Sequence, residues 1–306
     1  MLFNSLLFLV FFAIVYLAYL LCSHKWQNRL LIAASCLFYA SWNWKFLFLM
    51  LFSITTDYFC SKYIYLSQDK LRRKILLLIS VTVNLSILFF FKYCHFFLDN
   101  VESLLNTFLP NPIHFTFKII LPLGISFYTF EAISYTLDVY RGTTKPAQKY
   151  WDYLLFVIYF PHLIAGPIMR AKNFIPQVAS PRMLKLEYFY EGCFLIFWGL
   201  FEKIFIADNL AKIVNPVFAS PAPYDGGSVL LAVYAFAFQI FCDFDGYSNM
   251  ARGLGKCMGF EIAINFRLPY FAANPMEFWK RWHITLSTWL RDYYTSHSAA
   301  IGNQCS

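Results

Sequence analysis

Two carboxylates two residues apart, Asp243 and Asp245, lie at the end of a long apolar run in Cys242-Asp243-Phe244-Asp245-Gly246-Tyr247. Such neighbours repel, and an apolar setting offers them little water. They need a cation, a donor network or a hydrated cavity, and Gly246 beside them permits close backbone approach. The pattern predicts a polar cavity reaching into a membrane-buried part of the chain. Glu131 and Asp138 are seven residues apart on another apolar run and share one helix face. Glu202 and Lys203 end a third, where they read as a buried or interfacial ion pair, and Asp57 reads as interfacial. The densest cluster is Phe278 to Asp292, where three Trp, three cations, His283 and Asp292 occupy 15 residues. On a helix, Trp279, Trp282, His283, Leu286 and Leu290 align at three- and four-residue steps. By pattern alone this is an amphipathic helix anchored by Trp at a membrane surface, with His283 an interfacial histidine.

The elements that must position these groups are membrane spans. Of the 306 residues, 59% are hydrophobic and only 14% charged, against about 25% charged in a soluble domain. About 20 apolar residues cross the hydrocarbon. Leu2–Cys22 is long enough, and the charges that follow it argue for a retained span rather than a cleaved leader. Leu30–Phe59 fits a helical hairpin broken near Trp42-Asn43-Trp44-Lys45. Ile75–Phe91, Ile119–Leu137, Tyr188–Ile206 and Ser228–Tyr247 are further spans, and Phe260–Leu290 is mixed and aromatic. Tyr153–Met169 carries Pro161, Gly166 and Pro167, which break a helix. It is expected to be re-entrant, entering and leaving on one side, with His162 at its turn.

Charge supports this layout. The segments 24–29, 61–74, 139–152 and 166–187 hold 14 Lys and Arg, whereas 42–45, 92–118 and 207–227 hold 4. That is the positive-inside pattern with the N-terminus on the outer side. The net charge of +8 therefore reflects topology rather than a nucleic-acid partner. Eight scattered Cys without a CxxC pair argue against a disulfide or zinc framework, and no metal site is expected.

Several blocks resemble the membrane-bound O-acyltransferase family, and within it the bacterial alginate O-acetylase group. They are Leu137-Asp138-Val139-Tyr140-Arg141, Phe160-Pro161-His162-Leu163-Ile164-Ala165-Gly166-Pro167-Ile168-Met169-Arg170 and Phe174-Ile175-Pro176-Gln177. Three more are Gln239 through Ser248, Asn265-Phe266-Arg267-Leu268-Pro269-Tyr270, and the Trp282-His283 segment ending in Trp289-Leu290-Arg291-Asp292-Tyr293. The resemblance covers residues 1–293 and implies an all-α polytopic bundle with a re-entrant segment and a substrate tunnel. It implies transfer of an acyl group, acetyl above all, from a cytoplasmic-side thioester such as acetyl-CoA or an acyl carrier. The acceptor would be a hydroxyl of a cell-surface polysaccharide such as alginate, or a periplasmic acetyl-relay protein. The setting would be the lipid of the cell inner membrane, with no bound cofactor. Acyl transfer to a hydroxyl needs a base, for which His is the usual choice, and His283, the catalytic candidate of this chain, matches the first of two family histidines, toward the inner mouth of the tunnel. Asp243, Asp245 and Tyr247 match a tunnel-lining block, and Trp282, Arg291 and Asp292 belong to the Trp-His block.

The family also places a second, more critical histidine, its catalytic base, on a later span in a Leu-Trp-His-Gly-like context. Residues 294–306 form a polar tail unlike the family, and His297 there is not in that context. The expectation is that this chain by itself does not transfer acetyl groups. Two other readings stand beside the enzyme: a non-catalytic remnant or assembly subunit, and a transporter. A transporter predicts repeated halves, and the sequence contains no internal repeat.

Overall fold

The computed structural model describes residues 1, 3–108, 119–219 and 224–295, all helical or irregular. Three helices in it are long and apolar enough to cross a membrane, α2 (His24–Leu66), α3 (Lys70–Phe108) and α10 (Gly226–Cys257); the shorter α1 (Leu6–Leu21) is also apolar. The chain is thus a helical membrane protein. Its packing is inverted relative to a soluble domain. Large apolar side chains such as Leu6, Phe108, Phe194 and Phe205 are exposed, while Asp57, Ser80, Asn84 and Thr136 are buried. Without water in the hydrocarbon, polar groups must find partners inside the protein. Asp57 is therefore not interfacial, as its position in the sequence suggested. It accepts hydrogen bonds from Ser80 Oγ at 2.5 Å and Asn84 Nδ2 at 2.8 Å, between α2 and α3.

α2 breaks at Asn43, whose φ of −160° and ψ of 108° are extended. Arg29 and Tyr58 both return to the start of α5 (Tyr150–Ile158). Arg29 shares a cavity with Trp151, and the Tyr58 ring lies 5.4 Å from that of Tyr150. A straight helix would hold Arg29 and Tyr58 about 43 Å apart, so α2 is the hairpin its Trp-Asn-Trp-Lys break predicts. α3 corrects the sequence reading. It was expected to end at Phe91 and give way to a loop over 92–118, but the helix continues to Phe108. Phe96, Phe97, Val101, Leu104 and Leu105 keep helical spacing there, and no Gly or Pro intervenes. Residues 109–118 of that loop lie outside the described residues. α4 (Ile125–Arg141) begins later than the expected Ile119, because Gly124 turns the chain with φ +70°.

α5, α6 (Phe160–Leu163) and α7 (Ala171–Ala179) form one broken segment, in which residues 153–160 are at most 4% exposed. Its two ends meet: Lys149, Asp152 and Ala179 line one cavity with His24. α8 (Leu186–Leu200) passes through a π-helical turn, Phe201–Ala207, into α9 (Asp208–Ala219). α8 and α10 approach through glycines. A Cβ on Gly199 would sit 2.4 Å from the Gly246 carbonyl oxygen, and one on Gly192 2.7 Å from that of Gly253. Small residues let helix backbones meet in this way. α10 was expected to end near Tyr247. It runs on to Cys257, because Met250, Ala251, Leu254 and Cys257 stay buried on one face. Asp243 and Asp245 thus lie inside a helix rather than at its end.

The basic segments gather at one end of the bundle. Arg73 Nη2 donates to Tyr140 O at 2.6 Å, Lys62 and Lys145 line one cavity, and Arg182 Nη2 donates to Asn28 Oδ1 at 2.7 Å. At the opposite end, Met1 N donates to Ser41 Oγ and Lys92 Nζ to Ser126 Oγ. The charge grouping read from sequence is therefore reproduced in space.

Candidate active site

His283 lies between α11 (Pro275–Arg281) and α12 (Ile284–Leu290), each seven residues long. The single amphipathic helix expected here does not form. Trp282 is extended, and His283 takes a left-handed conformation with φ 42° and ψ 54°. A competing backbone partner causes the break. Ile284 N donates to Asn265 O at 2.8 Å and Arg267 N to Arg281 O at 2.9 Å, so residues 265–267 pair with 281–284 where helix bonds would otherwise run. A left-handed residue other than glycine costs about 1–2 kcal/mol, and such strain collects at functional sites. Trp279, Trp282, His283, Leu286 and Leu290 nevertheless line one cavity of about 670 Å³, with Arg291 on its wall.

Asn265 fixes the proton on the histidine. Its Oδ1 accepts from Thr285 Oγ1 at 2.8 Å and from the Thr285 backbone N–H at 3.3 Å. A backbone N–H can only donate, so this Asn atom is the oxygen. The same oxygen lies 3.0 Å from His283 Nδ1, which must therefore carry a hydrogen. The neutral ring then has its lone pair on Nε2, the nitrogen required of a general base. The ring packs against Phe244 at 4.8 Å, with Phe127 and Phe266 at 6.4 Å. Burial among these rings pushes the His283 pKa down to about 4.

A fixed, neutral His283 makes a testable expectation. Nitrogen-15 spectra of labelled histidine should show it uncharged with Nδ1–H from pH 8 down to about pH 5. A titration centred near 6.5 would contradict this. Unfolding frees the ring to bind a proton near pH 6.5. Its contribution to stability is thus complete above pH 6.5 and fades as pH falls toward 4.

The support reaches further back. Thr285 Oγ1 accepts from Ile168 N at 3.1 Å, and Met169 N donates to Glu131 Oε1 at 2.7 Å. Glu131 Oε2 also pairs with His162 Nε2 at 3.3 Å. The Pro167-Ile168-Met169 segment is thereby held between α4 and the His283 turn. Glu131 and Asp138 both face the interior from α4, as their spacing predicted. Asn265 and Thr285 went unassigned in the sequence reading. Asn265 belongs to the Asn265-Phe266-Arg267-Leu268-Pro269-Tyr270 block, but nothing in its spacing announces a bond across 18 residues.

The other candidates divide. Trp282 and Arg291 share the His283 cavity. Asp292 pairs with Arg170 Nη2 at 3.0 Å, and the neighbouring Tyr293 hydroxyl donates to Asp138 Oδ1 at 2.8 Å, tying this turn to the basic end. Asp243 pairs with Lys203 at 2.6 Å, and Lys203 also binds Asp208 at 2.7 Å. Lys203 is the cation that Asp243 required, and its expected partner Glu202 instead accepts from Asn249 Nδ2 at 3.0 Å. Asp245 faces Asn249 and Arg252. Tyr247 packs against Phe3, 6.0 Å between rings. None of Asp243, Asp245 and Tyr247 joins His283 on its cavity; Phe244, between the two carboxylates, does reach the imidazole. Residues 296–306 of the polar tail lie outside the described residues.

The profile of the MBOAT, membrane-bound O-acyltransferase family, matches residues 149–295, which include α5 to α12 and the His283 turn. The probable alginate O-acetylase AlgI of Pseudomonas aeruginosa is 42% identical over 295 residues, 96% of this chain and 56% of the relative. The peptidoglycan O-acetyltransferase of Helicobacter pylori is 34% identical over 326 residues, 96% of this chain and 61% of the relative. The teichoic acid D-alanyltransferase of Bacillus subtilis is 33% identical over 188 residues, 60% of this chain and 47% of the relative. The chain belongs to the membrane-bound O-acyltransferase family. It spans somewhat over half the length of the first two relatives.

Proposed function

We propose that the His283 cavity is the acyl-transfer centre of an O-acyltransferase that acetylates hydroxyls of a cell-surface polysaccharide, and that this centre is active, against the expectation of an inactive chain. The observation that carries this reading is the tautomer: Asn265 holds the proton on Nδ1 and leaves the Nε2 lone pair on a residue of a 670 Å³ cavity. An acceptor hydroxyl gives its proton to Nε2 as its oxygen attacks the carbonyl of an acyl thioester. The C–O bond forms, the C–S bond breaks, and the imidazolium returns the proton to the leaving thiolate. Arg291 on the wall supplies positive charge for the developing oxyanion, while Trp282 and Leu286 exclude water.

Acetyl-CoA or an acyl-carrier thioester is the donor in this reading. The named activities of the relatives favour alginate or another envelope glycan as acceptor, reached directly or through an acetyl-relay protein. The segment from α5 to α7 is re-entrant, a placement supported by its burial and by the meeting of its ends at the basic end. The basic end faces the cytoplasm across the inner membrane, with the N-terminus outside. The cavity opens there into a tunnel to the other face, with Asp243, Asp245 and Tyr247 along its course. Cavity labelling tests the reading. Ser287 lines the cavity, and a Ser287→Cys thiol should react with a maleimide and be protected by acetyl-CoA or an acetylated carrier. Labelling at an unchanged rate with either thioester in excess would rule the cavity out as the donor site.

A further inference from the structure

We propose a binding site for an anionic phospholipid where the starts of α2 and α5 converge, separate from the His283 cavity. The chain builds a cavity of about 330 Å³ there, with Lys25, Arg29 and Lys149 on its wall beside His24. All three cations are exposed and make no ion pair among the described residues. Asp152 is the one carboxylate on the wall, so the cavity keeps a net positive charge with His24 neutral. The N-terminus of α2 adds to it: its cap residue Ser23 makes no side-chain capping bond and its first turn holds no acidic residue, whereas Asp152 occupies the first turn of α5. Unmet backbone N–H groups and helix dipoles favour a phosphate at such a point.

The shape selects a lipid over a free anion. A second cavity of about 330 Å³ adjoins the first through Arg29, Ile32 and Trp151, and continues onto Ala33. Leu37, one turn further along α2, is 59% exposed. The site is therefore basic at its head and apolar along its length, as a phosphate headgroup with an acyl chain requires. Trp151, 60% exposed at the join, is an aromatic suited to the headgroup boundary. The four basic segments hold 14 Lys and Arg against 4 in the opposite segments 42–45, 92–118 and 207–227, and basic pockets between helices on the cytoplasmic side of a membrane bind anionic headgroups.

The test uses the purified full chain in mild detergent, with native mass spectrometry and thermal melting. Phosphatidylglycerol should remain bound and raise the melting temperature, and phosphatidylcholine should do neither. The Lys25→Gln, Arg29→Gln, Lys149→Gln triple variant should bind phosphatidylglycerol at least tenfold more weakly. Lys149→Arg alone should keep it, which separates lost charge from lost fold. Should the triple variant aggregate, Trp151→Ala and Arg29→Gln serve as milder single probes, each expected to weaken retention. Equal retention by wild type and charge variants, or equal binding of the two lipids, overturns the proposal. Full displacement of the lipid by millimolar inorganic phosphate or by acetyl-CoA also overturns it, assigning the site to a soluble anion or to the acyl donor.

Discussion

Asn265→Leu is expected to lower acyl transfer by about 10²–10⁴-fold, the range a positioned general base supplies, while the protein still reaches the membrane. Asn265 Oδ1 is the acceptor for His283 Nδ1 at 3.0 Å and for Thr285 Oγ1 at 2.8 Å. Leucine keeps the branching and the number of heavy atoms of the side chain and offers no acceptor. The ring can then rotate or carry its proton on Nε2, and either change removes the lone pair from the reaction. The variant should therefore fall in kcat with KM near the wild-type value, and its histidine spectrum should lose the Nδ1–H tautomer. Asn265→Asp separates position from charge. A carboxylate restores the acceptor and stabilises imidazolium, so the acid limb of the rate profile should move to higher pH. Wild-type turnover by Asn265→Leu at wild-type membrane levels would show that the asparagine does not set the tautomer. Acyl incorporation into envelope polysaccharide, normalised to protein, is the readout.

The second large effect is structural. Gly199→Leu should deplete folded protein and lower the melting temperature in detergent, a destabilisation on the order of 3 kcal/mol or more. The added Cβ alone would lie 2.4 Å from the Gly246 carbonyl oxygen, and backbone cannot swing aside as a flexible side chain does. α8 and α10 would have to separate. That separation would stretch the 2.6 Å Lys203–Asp243 bridge and displace Phe244 from His283, so any folded remainder should also lose activity. Gly226→Ala is the matched control, because no atom lies within 4 Å of a Cβ built there. Size-exclusion profiles of detergent extracts report both, and a wild-type melting temperature for Gly199→Leu would contradict the close α8–α10 contact.

Much of this architecture was legible in the residue order because membrane spans obey simple local rules. The polar break at Asn43 and the clustering of basic segments needed only hydropathy and charge. Span ends were harder. Polar residues such as Asp99 and Glu102 interrupt the apolar run of α3 without ending its helix, since only Gly, Pro or a competing partner does that. The same holds for α10 beyond Tyr247, whose buried face was masked by Asn249, Arg252 and Lys256. The break at His283 had no local signal at all. It arises because Asn265 and Arg267 offer backbone partners across the fold, and the Trp279-to-Leu290 spacing keeps those side chains on one cavity with or without it. Lys203 illustrates the same limit. Its neighbour Glu202 points toward Asn249, while its true partner, Asp243, is 40 residues away on α10. His283 and its tryptophans were found from their motif. The asparagine that holds the His283 ring was visible only in three dimensions.

The most direct test is the acetyl content of envelope polysaccharide in cells whose own copy of the gene carries His283→Gln. Glutamine keeps a polar group at the turn and cannot accept and return a proton near neutral pH. With membrane levels matched by immunoblot, the account predicts a fall of about 100-fold or more, the lower bound for losing a general base. Acetylation at the wild-type level, with His283→Gln present in normal amount, would contradict His283 as the base.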